Sequence, residues 1–442
     1  MSPEQILHQA FQEVLKIADP QESLPKALAN KFPQGVTGNC LVVGAGKASA
    51  SMADALERYA NVHWPKANLN GHVVTRYGHD VPEPIPGRKI TIAQAAHPYP
   101  DQAGVEASQR IMNLVDALRP GDLCIALISG GGSSLLALPA GQIQLDSLKL
   151  LTEELLRCGA PIEEINIVRK HVSDIQGGRL AQLAVSRGAT VKAFIISDVV
   201  GDQASDIASG PCAPDPSSYF DAVKILEKYG LHTNIELATI VDYLQKGQQG
   251  LYPETLKDSD SECRSIENYV FASAQQGLEA AARYCKEQAY EVHLLGDHIS
   301  GEAKDFAAKQ AQLIRQALQH SGAKKMAWIS GGETTVTIPK GITGRGGRCS
   351  EFLLALMQAT MDIQGITALA ADTDGIDGSE HNAGAFFNEE IRKQCIAKHL
   401  DIEHYLNTHQ AYRFFEQLEA LVITGPTLTN VNDFRIVLID RP

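Results

Sequence analysis

Ala126-Leu-Ile-Ser-Gly-Gly-Gly-Ser-Ser-Leu-Leu-Ala-Leu-Pro-Ala-Gly141 is the stretch on which the reading of this chain turns. An apolar run from Leu123 to Ile128 stops abruptly at Ser129-Gly-Gly-Gly-Ser-Ser134. That pattern predicts a buried strand opening into a loop of small residues. Glycine lets a backbone turn without a Cβ clash and brings its N–H groups close to a ligand. Ser133 and Ser134 add hydroxyl donors there, or cap a following helix. Taken alone the stretch is equally a plain strand-to-helix turn, because short glycine motifs have low specificity. A later copy shifts the balance: Ala327-Trp-Ile-Ser-Gly-Gly-Glu-Thr-Thr-Val-Thr-Ile-Pro-Lys-Gly341. Ser129, Gly130 and Gly131 align with Ser330, Gly331 and Gly332, Ser133-Ser134 answers Thr334-Thr335, and a Pro-x-Gly closes both. One repeated pair is not a solenoid. It predicts two halves, each presenting a small-residue loop at the end of a strand.

At 442 residues the chain exceeds one ordinary core and predicts at least two domains. An apolar fraction of 44% with 21% charged residues is that of a globular, water-exposed protein, and no segment has the length of a membrane span. The first residues lack the basic-then-apolar pattern of a signal peptide, and the eight cysteines show no Cys-x-x-Cys spacing. A reduced, cytoplasmic protein is the expectation. The formal net charge of −13 argues against a nucleic-acid partner, though a nucleotide needs only local positive charge.

Residues 4–18 have helical periodicity, with Ser2, Pro3 and Gln5 suited to a capping box. Strands are expected at Cys40–Val43, His72–Thr75, Lys89–Ala93, Leu123–Ile128 and Val191–Ile196, with helices between them. This alternation argues an α/β fold with a parallel sheet covered on both faces. Residues 246–262 are polar and turn-rich, which places a boundary there, between a first domain at 1–250 and a second at 260–442. The second is expected to hold strands at 268–273, 290–295, 366–371, 421–423 and 435–440, with Thr334–Ile338 pairing back as a further strand. The last strand could also return to the first domain.

Candidate chemistry gathers at strand ends. Gly44-Ala-Gly46-Lys47-Ala-Ser49 sits at a strand-to-helix junction, where anions are favoured. It is neither a Walker A loop nor a dinucleotide fingerprint, since Leu41 and Ser49 stand where glycines are needed. Lys47 is a point charge suited to a transferring phosphoryl group, or a plain surface lysine. Asp198, Asp202 and Asp206 follow the strand ending at Ile196 and are candidates for holding Mg²⁺ or taking a hydroxyl proton, although aspartates also build turns. Asp372, Asp374 and Asp377 form a similar loop whose spacing rejects an EF-hand. Arg169-Lys-His171, Arg179, Arg345 and Arg348 are available for carboxylate or phosphate recognition. No Gly-x-Ser-x-Gly elbow or His-Glu-x-x-His pair occurs. His97 and His171 stand alone, as structural histidines usually do.

Together, several runs resemble the glycerate 2-kinase family. In the first half they are Gly44-Ala-Gly-Lys-Ala-Ser49, Ala96-His-Pro98, Ile128–Ser134, Arg169–Ala181 and Ser197–Pro211. In the second, Ser330–Thr335, Asp374–Gly378 and Gly425–Asp433 resemble that family's MOFRL domain. The resemblance implies a Rossmann-like larger domain, a smaller α/β domain, an active site in the cleft between them, and ATP- and Mg²⁺-dependent phosphorylation of D-glycerate at its 2-hydroxyl. It gives Lys47 and Arg348 essential roles on phosphoryl charge, and Asp198 is the preferred base or Mg²⁺ ligand. Binding of substrate or nucleotide falls to Gly44, Gly46, His97, Ser129–Ser134 (with Gly130, Gly131, Gly132 and Ser133), Arg179, Asp202, Ser209 and Gly210. In the second half it falls to Ser330, Gly331, Gly332, Glu333, Thr334 and Asn430. Metal ligands are expected from Asp198, Asp374 and Asp377. Two departures stand out: Cys349-Ser350 replaces the family's Asn-Gln after Arg348, and Gln176 stands where a lysine is expected. The rival readings are a hydroxypyruvate reductase and a non-catalytic small-acid binder.

Overall fold

The computed structural model describes residues 1–81, 85–320, 322–339 and 341–441. Lys340 of the repeated Pro-x-Gly lies outside them. The chain divides into two compact units, one of Pro20–Phe271 and one of Met1–Asp19 with Ala272–Pro442.

The Pro20–Phe271 unit is built on β1 (Gly38–Ala45), β2 (Ala67–Arg76), β3 (Ile90–Ala95), β4 (Leu123–Ile128), β5 (Thr190–Ser197) and β6 (Ile266–Ser273). Their order is β3-β2-β1-β4-β5-β6, with β1 to β5 paired in parallel. Val42 and Val43 of β1 and Ile125 to Leu127 of β4 are fully buried, as expected of strands covered on both faces. The order reverses direction between β1 and β4, and open α/β sheets take ligands beyond the carboxyl ends of strands at such a switch point. The loops there are Gly46-Lys47 and Ser129–Ser134. A separate helical layer holds Leu145–Arg157, Ile162–His171, Tyr219–Lys228 and Ala238–Gln248 around Leu151, Val168, Tyr219 and Leu244.

The other unit contains β7 (Glu291–Leu294), β8 (Lys325–Ser330), β9 (Ile366–Asp372), β10 (Gly384–Phe387), β11 (Leu421–Val422) and β12 (Asp433–Asp440) in the order β11-β10-β9-β12-β8-β7. The sheet is mixed: β12 runs antiparallel to both β8 and β9, while β7 and β8 are parallel. Alternation along β12 sorts its side chains by face. Val437 and Ile439 join the core formed with the helices Ala303–His320 and Arg348–Ala359. Phe434 instead stacks on Phe11 of the helix Pro3–Ala18, with ring centroids 5.8 Å apart.

Three expectations are corrected. The boundary is not at 250–260. Thr255 and Leu256 are buried there, and Leu256 exchanges backbone bonds with Gly177 and Asp215, so the polar stretch is a returning strap within the first unit. The strand expected at 268–273 accordingly pairs in the first sheet as β6, and the N-terminal helix joins the second unit. Residues Thr334–Ile338 form no strand beyond a single bridge from Thr335 to Glu302, and β12 lies in the middle of the second sheet. The helix Pro20–Lys31, interrupted in sequence by Pro25, and the short β10 carried no readable periodicity.

Candidate active-site loops

The turn after β4 is the densest meeting of candidate residues. Gly131 takes a left-handed φ of 79°, and a Cβ built there would come within 2.9 Å of the His97 ring and 3.3 Å of Lys47 Cγ. At Gly130 a Cβ would reach 1.8 Å from Asp198 Oδ2, so that carboxylate packs directly on the glycine backbone. Lys47, His97 and Asp198 arrive from the ends of β1, β3 and β5. Ser133 Oγ shares a 2.9 Å hydrogen bond with Ser209 Oγ, and Ser134 Oγ donates to Gly131 O at 3.2 Å. The glycines are thus a requirement of close approach, with three candidate side chains against one turn.

The turn after β1 has a different task. Gly46 N–H donates to Val74 O, Lys47 N–H to Gly130 O at 2.9 Å and Ala48 N–H to Ser129 Oγ at 3.0 Å. Amides that would cradle a pyrophosphate are occupied by β2 and by the Ser129-Gly130 loop. Gly46, at φ 135°, and Gly44 are needed for packing, since Cβ atoms would lie 2.1 Å from Ser129 Oγ and 2.2 Å from Leu127 O. These bonds fix Lys47 beside Gly131.

Arg179 is not part of this cluster. Its guanidinium donates to Lys170 O, Tyr219 OH and Pro253 O, tying down the returning strap. Asp202 sits in the turn after β5 with a left-handed φ of 54°. Ser209 and Gly210 accept the Gly177 and Gly178 amides, so Gly210 braces rather than faces the loop.

In the other unit Arg348 opens the helix Arg348–Ala359 and is ringed by acids. Nη2 lies 2.7 Å from Asp372, Nε 2.8 Å from Asp433 and Nη1 3.3 Å from Glu333. Burial works against the charge, but Asp433, Asp372 and Glu333 outweigh it and hold the guanidinium firmly protonated. Arg435, fully buried in β12, pairs with Asp433 and donates to Gly331 O and Thr334 Oγ1, so it fixes the Ser-Gly-Gly loop after β8. Asp372 was nominated within its loop of acids, whereas Asp433 and Arg435 were not; the signal for these two was a charged pair within the otherwise apolar run of β12. Gly332 (φ 95°) is pressed against Ile299, and Ser330 Oγ is buried with no hydrogen-bond partner among the described residues. An open groove of about 480 Å³ is lined by Glu333, Thr334, Gly346, Gly347, Arg348 and His409.

The acids nominated for metal divide. Asp377 accepts from the Cys349 and Ser350 amides at 2.9 Å each and from the Ser350 hydroxyl, so it caps the Arg348 helix instead of facing a ligand. Burial pushes it up to about 6 against those donors. Asp374 accepts from Ile376 N–H at 2.9 Å, and Asn430 Oδ1 from Asn432 N–H at 3.1 Å. The Cys349-Ser350 departure is explained in part: Cys349 fills the core and Ser350 secures Asp377. Among the described residues no group of three or more His, Cys, Asp or Glu side chains could enclose a metal.

Fold and loops define a two-unit α/β protein that presents lysine and arginine at glycine-rich strand ends, a phosphoryl-handling class. The sequence model described as "Domain of unknown function (DUF4147)" matches residues 6–245, and that of the MOFRL family matches residues 326–433. The D-glycerate 2-kinase of Thermotoga maritima is 34% identical over 94% of each chain, and a Thermotoga maritima glycerate kinase crystal structure superposes with a TM-score of 0.84, at 33% identity and 99% coverage of both. An Agrobacterium vitis protein provisionally named hydroxypyruvate reductase is 40% identical over 99% of this chain and 95% of its own. The chain belongs to the glycerate 2-kinase family, as its motifs implied. Among the described residues no helix is long and apolar enough to cross a membrane.

Proposed function

We propose that this protein is a kinase that transfers the γ-phosphoryl group of ATP to the 2-hydroxyl of D-glycerate, giving 2-phosphoglycerate. The observation that carries the reading is the packing of Lys47, His97 and Asp198 against Gly130-Gly131 at the sheet's switch point. Phosphoryl transfer is mostly positioning and charge stabilisation, and a cation and a carboxylate here pack against the glycine backbone of one short loop. Lys47 is assigned to the developing phosphate charge. Asp198 is assigned to accept the proton from the 2-hydroxyl. In the other unit, Arg348 is assigned to phosphate charge through Nη1, whose partner Glu333 is 60% exposed. Each unit has its own small-residue loop, Ser129–Ser134 in one and Ser330–Thr334 in the other, assigned here as further donors.

Mg²⁺ in such enzymes is held by one or two carboxylates plus substrate phosphates and water. Asp198 fits that donor set; Asp377 does not, since both its oxygens serve the helix amides. When bound, the ion would neutralise phosphate charge. Its eight free cysteines, most of them buried, suit a reducing cytoplasm. The reductase reading is favoured by the Agrobacterium names, but the occupied amides after β1 leave no pyrophosphate cradle at that turn. Incubation with ATP, Mg²⁺ and D-glycerate should release ADP and yield a product that enolase consumes directly. NADH oxidation by hydroxypyruvate without any ADP release would overturn the proposal.

A further inference from the structure

The helix Ile162–His171 ends in three basic residues, two of which have acids beside them. Lys170 Nζ lies 3.2 Å from Asp215, and His171 Nε2 lies 3.3 Å from Glu254. Arg169 has no such partner. Among the described residues no carboxylate lies within 4 Å of its guanidinium, and its side-chain hydrogen bond is a long one, Nη2 to Thr152 Oγ1 at 3.4 Å. The residue is partly buried, and the loss of water around it lowers its pKa. A charge withdrawn from water with no counter-charge is costly, and proteins seldom keep one without a use.

Arg169 lines a cavity of about 40 Å³ together with Ser133 and Ser134. These serines belong to the turn whose Gly131 lies against Lys47 and His97. Gln176 also lines the cavity, but its amide nitrogen is committed to Ser133 O (2.8 Å) and Leu136 O (3.2 Å), and it brings no charge. Leu136, Leu138 and Leu148 make the rest of the wall largely apolar. That volume holds roughly two or three water-sized groups, enough for a carboxylate and too little for a triphosphate. A planar guanidinium fork matches a carboxylate in two hydrogen bonds.

We propose that Arg169 anchors the carboxylate of the acceptor, a small 2-hydroxy acid, so that the Gly131–Ser134 turn separates the carboxylate anchor from the phosphoryl cation Lys47. This rests on the kinase reading and assigns its acceptor subsite. It makes the carboxylate, rather than the hydroxyls, the main determinant of acceptor choice, so glycerol should be a poor substrate.

The test compares wild type, Arg169→Met and Arg169→Lys in steady-state kinetics with ATP and D-glycerate, alongside thermal melting. For Arg169→Met the KM for D-glycerate should rise about 10- to 100-fold, with the KM for ATP within twofold. The melting temperature should hold or rise, because an unpaired buried charge has been removed. Arg169→Lys should recover part of the loss. A D-glycerate KM within twofold of wild type, or a melting temperature several degrees lower in Arg169→Met, overturns the anchor while leaving the kinase reading intact. If wild type releases no ADP with D-glycerate, the kinase reading fails instead. The anchor is then judged by calorimetric titration of D-glycerate alone: tight binding to wild type that Arg169→Met loses upholds it, and equal or absent binding overturns it.

Discussion

At the scale of single residues, the candidate site depends on what glycine leaves out. Gly130 has an ordinary backbone conformation, yet a methyl group there would overlap the Asp198 carboxylate, at 1.8 Å from Oδ2. Gly130→Ala should therefore fold normally but displace Asp198, and a misplacement of about 1 Å costs on the order of 100-fold in kcat/KM. Lys47→Ala removes the charge of a residue whose backbone N–H donates to Gly130 O and should lower kcat by about 100- to 1000-fold in the ADP-release assay, with little change in melting temperature. Equal activity in Lys47→Ala would mean that another group bears the phosphoryl charge. Both residues were legible in the sequence. Arg435 was not, because a buried arginine is recognised only once its acids are seen around it.

At the scale of elements, the helix Arg348–Ala359 begins on a carboxylate. Asp377 satisfies two N-terminal amides and the Ser350 hydroxyl, so the loop after β9 sets the direction in which Arg348 leaves its helix. The folded value of Asp377, about 6, lies above the 3.8 of the free group. The folded state then binds the proton more tightly, and this group's contribution to stability falls as pH rises from about 4 through 6. Asp377→Asn cannot titrate. Relative to wild type it should gain up to about 3 kcal/mol in urea unfolding on going from pH 4 to pH 8; parallel pH profiles would refute the assignment. The sequence offered Asp377 as a metal ligand because the density of acids was visible and the donors facing them were not.

At the scale of the molecule, the N-terminal helix belongs with residues about 400 positions away. Phe11 stacks on Phe434, Thr429 Oγ1 donates to Ala18 O at 2.6 Å and Asn388 Nδ2 to Glu4 at 2.9 Å. Deletion of residues 1–19 should destabilise the unit containing β7 to β12, and hydrogen exchange should quicken in β9 and β12 before it does in β1 and β4. Thiol reactivity gives a second check on packing. Burial pushes Cys40 and Cys124 up to about 12, whereas Cys158 is exposed. Native protein treated with iodoacetamide near pH 8 should carry label at Cys158 and none at Cys40, Cys124 or Cys349 by mass spectrometry.

Local pattern by itself determined the α/β class, the strands that end in glycine loops, the capped first helix and the prominence of Lys47, because apolar periodicity and small-residue turns are written in neighbouring positions. The family motifs added the roles expected of Lys47 and Arg348 and the expected chemistry. Only the tertiary structure decided that β6 joins the first sheet, that the first helix joins the second unit, and that Asp377 and Arg179 brace the fold. It also revealed Arg169 partly buried without an acid beside the serine turn. Each of these depends on which distant groups meet, and a side chain's partner is fixed by packing and burial rather than by the residues next to it in the chain.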